Sequence, residues 1–241
     1  MSAVGLLFVG VVLIVNGLML LGVVDARSAG PLNLFVGALQ VLTPTYLIFL
    51  AGPNHPDAIL AAAGIYLFGF TYLYVGINVL ANLDGTGLGW YSLFVTACAL
   101  VIAGLNFSHY HTIASFDTGF GVIWLYWAFL WAMFWVVLGI RREEWTRYTG
   151  GVAIVAGLVT ATIPAFLLLT GQWTARLGAW TTALVIVLVI SVFALLPLRR
   201  NYQPAVPPGA PVPSGAPEAP EGVPVQRQGT GETRQPSSPT R

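Results

Sequence analysis

Apolar residues in this chain run in long blocks separated by short polar punctuation. A hydrocarbon core of roughly 30 Å is crossed by about 20 apolar residues in helical geometry. Blocks of that length lie at 3–24, 32–51, 58–81, 89–107, 119–140, 149–170 and 177–198, so the pattern predicts seven transmembrane helices. The first block has neither a basic start nor a small-residue cleavage pattern, and it contains Asn16-Gly17. It therefore reads as a retained span rather than a signal peptide. Turn-forming stretches separate the early blocks: Asp-Ala-Arg-Ser-Ala-Gly-Pro at 25–31, Gly-Pro-Asn-His-Pro-Asp at 52–57 and Asn-Leu-Asp-Gly-Thr-Gly-Leu-Gly at 82–89. Such short links make consecutive helices antiparallel neighbours. Backbone polar groups in lipid must pair internally, and these blocks are too long and evenly apolar for barrel strands. The expected fold class is all-α, a polytopic helical membrane bundle.

Composition agrees with a membrane solvent: 56% of the 241 residues are hydrophobic and 8% charged, where a soluble chain carries about a quarter charged residues. Beyond Arg200 the chain changes to Pro, Gly, Ala, Ser, Gln and Thr, which predicts a disordered tail over 201–241. There is no lysine, so arginines set the orientation. With the N-terminus outside, Arg27, Arg141, Arg142, Arg147, Arg199 and Arg200 fall on the inner side and Arg176 on the outer, as positive-inside asymmetry requires. His55, His109 and His111 then face outward, where they are candidates for a pH response. A net charge of +1 offers no field for nucleic acid.

All nine acidic residues lie in loops or in the tail. Pumps and ion-coupled carriers place ionisable groups near the membrane midplane, so the spans point to passive movement. Without a lysine there is no Schiff-base retinal site. No His-Glu-x-x-His, Gly-x-Ser-x-Gly or phosphate-cradling loop is present, so neither an enzyme nor a cofactor is expected. The single Cys98 builds no disulfide within the chain, and His109 with His111 supplies too few ligands for a metal.

Periodicity marks three stripes. Trp124, Trp127, Trp131 and Trp135 fall on one face of the fifth block and cover about 16 Å of depth, too much for an interfacial belt. The third block carries Phe70, Tyr74 and Ile77 with Asn78 beside them, and the first carries Leu6, Val9, Leu13 and Asn16. Each stripe is apolar or aromatic with an uncharged polar group. Spacing alone fits interhelical packing as well as it fits the wall of a pore.

Ordered motifs decide between the two. Val-Gly-Val-Val-Leu-Ile-Val-Asn-Gly at 9–17, Leu-Phe-Gly-Phe-Thr-Tyr-Leu-Tyr at 67–74, Trp-Tyr-Ser-Leu-Phe-Val at 90–95, Ile-Trp-Leu-Tyr-Trp-Ala-Phe-Leu-Trp at 123–131 and Ile-Pro-Ala at 163–165 closely resemble the UreI/AmiS family of urea and short-chain amide channels. The resemblance runs from the N-terminus to about Trp173. It implies a six-helix channel core over 1–173 with a pore in each protomer, a homo-hexameric ring in the bacterial inner membrane, and the N-terminus outside. A seventh helix over 174–200 is additional and brings the C-terminus into the cytoplasm. The resemblance also implies a pore lined by Leu6, Val9, Leu13 and Asn16 on the first helix, Phe70 and Tyr74 on the third, and Trp124, Trp127, Leu130 and Trp131 on the fifth.

Two departures qualify the transfer. Urea-channel members have a pore glutamate in an Ile-Glu-Gly context where this chain reads Val155-Ala156-Gly157, which moves the expectation toward the amide branch. The loop over 52–57 is short, with His55 alone, which argues against acid gating while leaving His109 and His111. The expected function is a passive channel for small neutral amides such as acetamide, propionamide and urea. The competing reading is a membrane scaffold whose Pro-rich tail recruits a cytoplasmic partner.

Overall fold

The computed structural model describes residues 3–51, 55–108 and 117–200. Seven helical spans are long and apolar enough to cross a membrane. They are α1 (Ala3–Leu20), α2 (Ala26–Ala51), α3 (Pro56–Ala81), α4 (Thr86–Phe107), α5 (Thr118–Phe134) with its π-helical continuation Trp135–Gly139, a composite sixth span, and α8 (Trp173–Ala194). The sixth span runs from the 3-10 turn Glu143–Trp145 through α6 (Thr146–Val155) and the π-helical stretch Ala156–Thr162 into α7 (Ile163–Leu169). A short α9 (Pro197–Arg200) follows α8. No strand occurs among the described residues. The tail over 201–241 and the pair His109 and His111 lie outside them.

Two boundaries differ from the turn-based reading, because aspartates at helix starts override the turn residues. The Asp25 carboxylate accepts the Arg27 and Ser28 backbone N–H groups at 2.9 and 3.2 Å, so α2 begins at Ala26 and runs through Pro31. Asp84 stands one residue before Gly85, the N-cap of α4. It accepts the Thr86 N–H at 2.9 Å and the Thr86 hydroxyl, and Asn82 just before it takes the left-handed conformation that ends α3. In the same way the Asp117 carboxylate caps α5 through the Phe120 N–H at 2.8 Å and also accepts the Trp173 indole at 2.6 Å.

The first six spans close a ring in which each packs on the next and the sixth returns to α1. Glycines set the closest contacts. A Cβ on Gly17 would fall 2.6 Å from the Gly150 carbonyl, and one on Gly157 would fall 2.6 Å from the Gly10 carbonyl, so α1 and the sixth span touch backbone to backbone at two levels seven residues apart. Helices α2 and α3 repeat this device, with Gly37 against Gly69 and Gly76 against Gly30, and Gly89 on α4 meets Gly139 after α5. In lipid, where apolar burial between helices gains little, such close approach supplies the dispersion contact that holds helices together.

Helix α8 stands outside the ring against α5 and α6. The Tyr126 and Ser191 hydroxyls are 2.9 Å apart, the Tyr148 hydroxyl donates to the Val192 carbonyl at 2.8 Å, and the Arg199 guanidinium lies 4.3 Å from the Trp145 ring centre. Large apolar residues such as Phe35, Phe49, Phe94 and Phe193 are exposed, which fits a lipid-facing or subunit-facing surface and not water.

Two outcomes follow from this packing. In detergent-solubilised protein, Gly157→Val should lower thermal stability by at least the 1–3 kcal/mol typical of overpacking, because the obstacle is the Gly10 backbone. Gly104→Ala, which meets nothing within 4 Å, should be neutral or stabilising; equal losses in the two melts would contradict the packing. The second concerns pH. Hydrogen bonds from the Thr86 hydroxyl and N–H, aided by Arg141 at 3.1 Å, lower the Asp84 pKa from its usual 3.8. A lowered carboxylate pKa gives stability that is complete above the ordinary value and lost as pH falls through the folded one. The stability difference between parent and Asp84→Asn should therefore be constant from neutral pH down to about 5 and shrink only below pH 4; a difference that closes between pH 7 and 5 would contradict this.

Candidate functional site

The interior of the ring is aromatic. Phe68 on α3 is wedged among three tryptophans of α5, with ring centres 4.7 Å from Trp127, 4.7 Å from Trp131 and 5.9 Å from Trp124. Trp124 and Trp127 meet edge to face at 5.0 Å, an arrangement that aligns positive ring edges with negative faces. All three indoles are buried, Trp127 to 1% exposure. The Trp127 indole N–H donates to the Thr160 hydroxyl at 2.8 Å, and that hydroxyl donates to the Ala156 carbonyl at 2.6 Å, so the sixth span fixes the ring's orientation.

Beside this cluster is a narrow space of about 20 Å³ lined mainly by Leu13, Asn16, Phe68, Tyr72, Trp127 and Trp131, room for about one water. It adjoins a vestibule of about 580 Å³. The two share Asn16, Val75, Leu88 and Phe134, so they adjoin along a candidate path from the bundle centre to the end where α1, α3 and α5 finish. Among the described residues no charged side chain lines the narrow part, and Arg27 is the charged residue on the vestibule. Apart from Arg27, the polar groups described along it are neutral. The Tyr72 hydroxyl, on a side chain 2% exposed, and the Asn78 amide oxygen have no partner. The Ser92 hydroxyl donates to the Leu88 carbonyl at 2.8 Å, which leaves its oxygen able to accept, while the Thr71 hydroxyl donates to the Leu67 carbonyl at 2.7 Å and is also hydrogen-bonded to the Tyr91 hydroxyl.

The structure brings five of the sequence candidates together on the narrow space: Leu13, Asn16, Trp127, Leu130 and Trp131. Leu6, Val9 and Trp124 are buried in the packed core next to it. Phe70 and Tyr74 are placed elsewhere. Phe70 is 50% exposed and stacks on Tyr66 at 5.8 Å, while Tyr74 lies against Gly87 and Tyr91 of α4. Phe68, Thr71, Tyr72 and Val75 take the inward positions instead. The reason is rotation: Gly69 and Gly76 must face α2, which turns Phe70 and Ile77 outward. The polar neighbours Thr71 and Asn78 were the available signal, since a lipid-facing stripe carries none. Trp135 leaves the tryptophan stripe at the start of the π-helical turn and packs near Trp90. Leu88, Ser92 and Phe134 also reach the path without having been marked by spacing. His55 is exposed at the start of α3, at the opposite end of that helix from the vestibule. Among the described residues no group of three His, Cys, Asp or Glu is close enough to hold a metal.

The chain as a whole resembles known proteins. The chain is 50% identical over 207 residues to the putative transporter protein AmiS2 of Rhodococcus erythropolis, covering 85% of this chain and 98% of that one. It is 51% identical over 173 residues to the putative amidate substrates transporter protein of Mycolicibacterium smegmatis, covering 72% and 78%. To the acid-activated urea channel of Helicobacter pylori it is 34% identical over 192 residues, covering 70% and 97%. The crystal structure of the urea channel from that organism superimposes with a TM-score of 0.63 at 36% identity, covering 72% of this chain and 99% of that one. Residues 1–172 match the family described as AmiS/UreI family transporter. The chain therefore belongs to the AmiS/UreI family: it is a multi-pass membrane protein of an amide and urea transporter family, with a channel fold similar to that of the Helicobacter urea channel.

Proposed function

We propose that the protein is a passive channel for small neutral amides, acetamide, propionamide and urea, which cross each protomer along the aromatic path. The observation that carries this is the uncharged narrow space continuous with the vestibule. Removing an ion's water costs an idealised Born energy of order 20 kcal/mol, and nothing in the narrow part offsets it. A neutral amide without full hydrogen bonding costs about 2–7 kcal/mol, part of which Tyr72, Asn16 and Ser92 return. Apolar walls keep that return small, so solute is released as readily as it is taken up. Room for one water means that an amide advances only as Phe68, Leu13 and Trp131 change rotamer, motion on the ps–ns scale for exposed side chains and slower in a packed site.

The conducting part on this reading is residues 1–173, with 174–200 a helix docked upon it and 201–241 a cytoplasmic tail. The positions Arg27, Arg141, Arg142, Arg147 and Arg199 at one end of the spans support an inner-membrane protein with its N-terminus outside. From the family resemblance we carry over a ring of six protomers. Ala156, fully buried where urea-channel members have their glutamate, supports a preference for amides with an apolar substituent.

In stopped-flow assays on proteoliposomes, acetamide and urea should equilibrate faster than in protein-free vesicles while ammonium and sodium do not. Trp131→Ala should raise propionamide flux relative to urea by about tenfold, the order that one methylene carries in a tight apolar site. Ammonium conduction by the parent, or an unchanged propionamide to urea ratio in the variant, would overturn the reading.

A further inference from the structure

Asn16 sits where the narrow space and the vestibule meet, and its amide is not free to turn. Its Nδ2 donates to Asn33 Oδ1 at 2.8 Å, and Asn33 Nδ2 donates to Asn16 Oδ1 at 2.7 Å. Asn33 lies on α2, behind α1 and off the path. Its Nδ2 also donates to the Ala29 carbonyl at 3.0 Å.

That last bond fixes the rest. A backbone carbonyl only accepts, so the Asn33 atom facing Ala29 must be the amide nitrogen. Its second N–H then points at Asn16, which must answer with oxygen, and the Asn16 nitrogen must face Asn33 Oδ1. Both N–H groups of Asn33 are used. One N–H and one oxygen lone pair remain on Asn16, and which of them faces the path is set by the Ala29 carbonyl acting through Asn33.

We propose that Asn33 is a positioning residue for selectivity: it locks the orientation of the Asn16 amide so that a defined donor and acceptor meet the passing solute, favouring carboxamides over hydroxylic solutes of equal size. The inference rests on the channel reading above. Reciprocal amide pairing uses one donor and one acceptor of Asn16, so only one of each is left for a solute, too few to hold it long.

Acetamide and ethylene glycol, similar in size, are the probes, with proteoliposome flux of each measured for the parent, Asn33→Asp, Asn33→Leu, Asn16→Ala and the double variant Asn16→Ala with Asn33→Leu. Asn33→Asp keeps the shape but replaces the donor to Asn16 with an acceptor. It should lower the acetamide to ethylene glycol ratio by about fivefold, the order carried by one neutral hydrogen bond. The double variant should match Asn16→Ala alone, because Asn33 acts only through Asn16. A general loss of packing would lower both fluxes together and leave the ratio unmoved. Should Asn33→Leu not assemble, the double variant, which leaves no unpaired amide, and Asn33→Asp still decide. A parent-like ratio in Asn33→Asp, or a double variant well below Asn16→Ala, overturns the role of Asn33 while acetamide flux by the parent stands. Absence of acetamide flux in the parent overturns the channel reading itself.

Discussion

Backbone contact at glycine is the constraint from which the rest of the structure derives. Between α1 and the sixth span, Gly10 and Gly17 face Gly157 and Gly150 so closely that a single methyl group would overlap a carbonyl oxygen. The same device joins α2 to α3 and the start of α4 to the end of α5. Three helix pairs are drawn together in this way, and aliphatic side chains such as Ile14, Leu34, Leu80 and Ile154 lie over the glycines in the seams. The centre receives Phe68 and three tryptophans, which leave room beside them for about one water. A path this narrow follows from glycine seams with large aromatic rings opposite them.

Several polar groups in this interior tie one helix to another. Gln40 donates to the Gly5 carbonyl at 2.7 Å and Asn33 pairs with Asn16, so α2 holds α1 at two levels. Thr160 accepts the Trp127 indole from a π-helical stretch, a widened turn of the kind often found at functional sites. These bonds are modest individually, about 0.6 kcal/mol on average between membrane helices. Their larger effect is to select one rotation for each helix and hence the side chains that face the ring's centre.

Much of this was legible in the chain itself. Seven apolar blocks gave seven spans, and the resemblance carried by the motifs at 9–17, 67–74 and 123–131 agrees with the family match over residues 1–172. Periodicity put Trp124, Trp127 and Trp131 on one face of α5, and in the structure all three rings meet Phe68. It misplaced α3 because Phe68-Tyr72 and Phe70-Tyr74 have identical spacing, and only the direction of Gly69 and Gly76 toward α2 separates the two. Asn33 and Gln40 could not be placed from the sequence, since a lone amide in an apolar block announces that it needs a partner without naming one. The early start of α2 was hidden for a similar reason: Asp25 as a cap and Gly30-Pro31 as a turn compete, and burial of Gly30 against Leu80 favours the helix.

Cysteine substitution along α3 tests most directly that the conduit runs on its Phe68, Tyr72 and Val75 face. In a Cys98→Ala background, a thiol reagent applied to proteoliposomes should stop acetamide flux through Val75→Cys and leave Ile77→Cys, on the 50% exposed opposite face, unaffected. Block at position 77 with none at 75 would place the path elsewhere and contradict it.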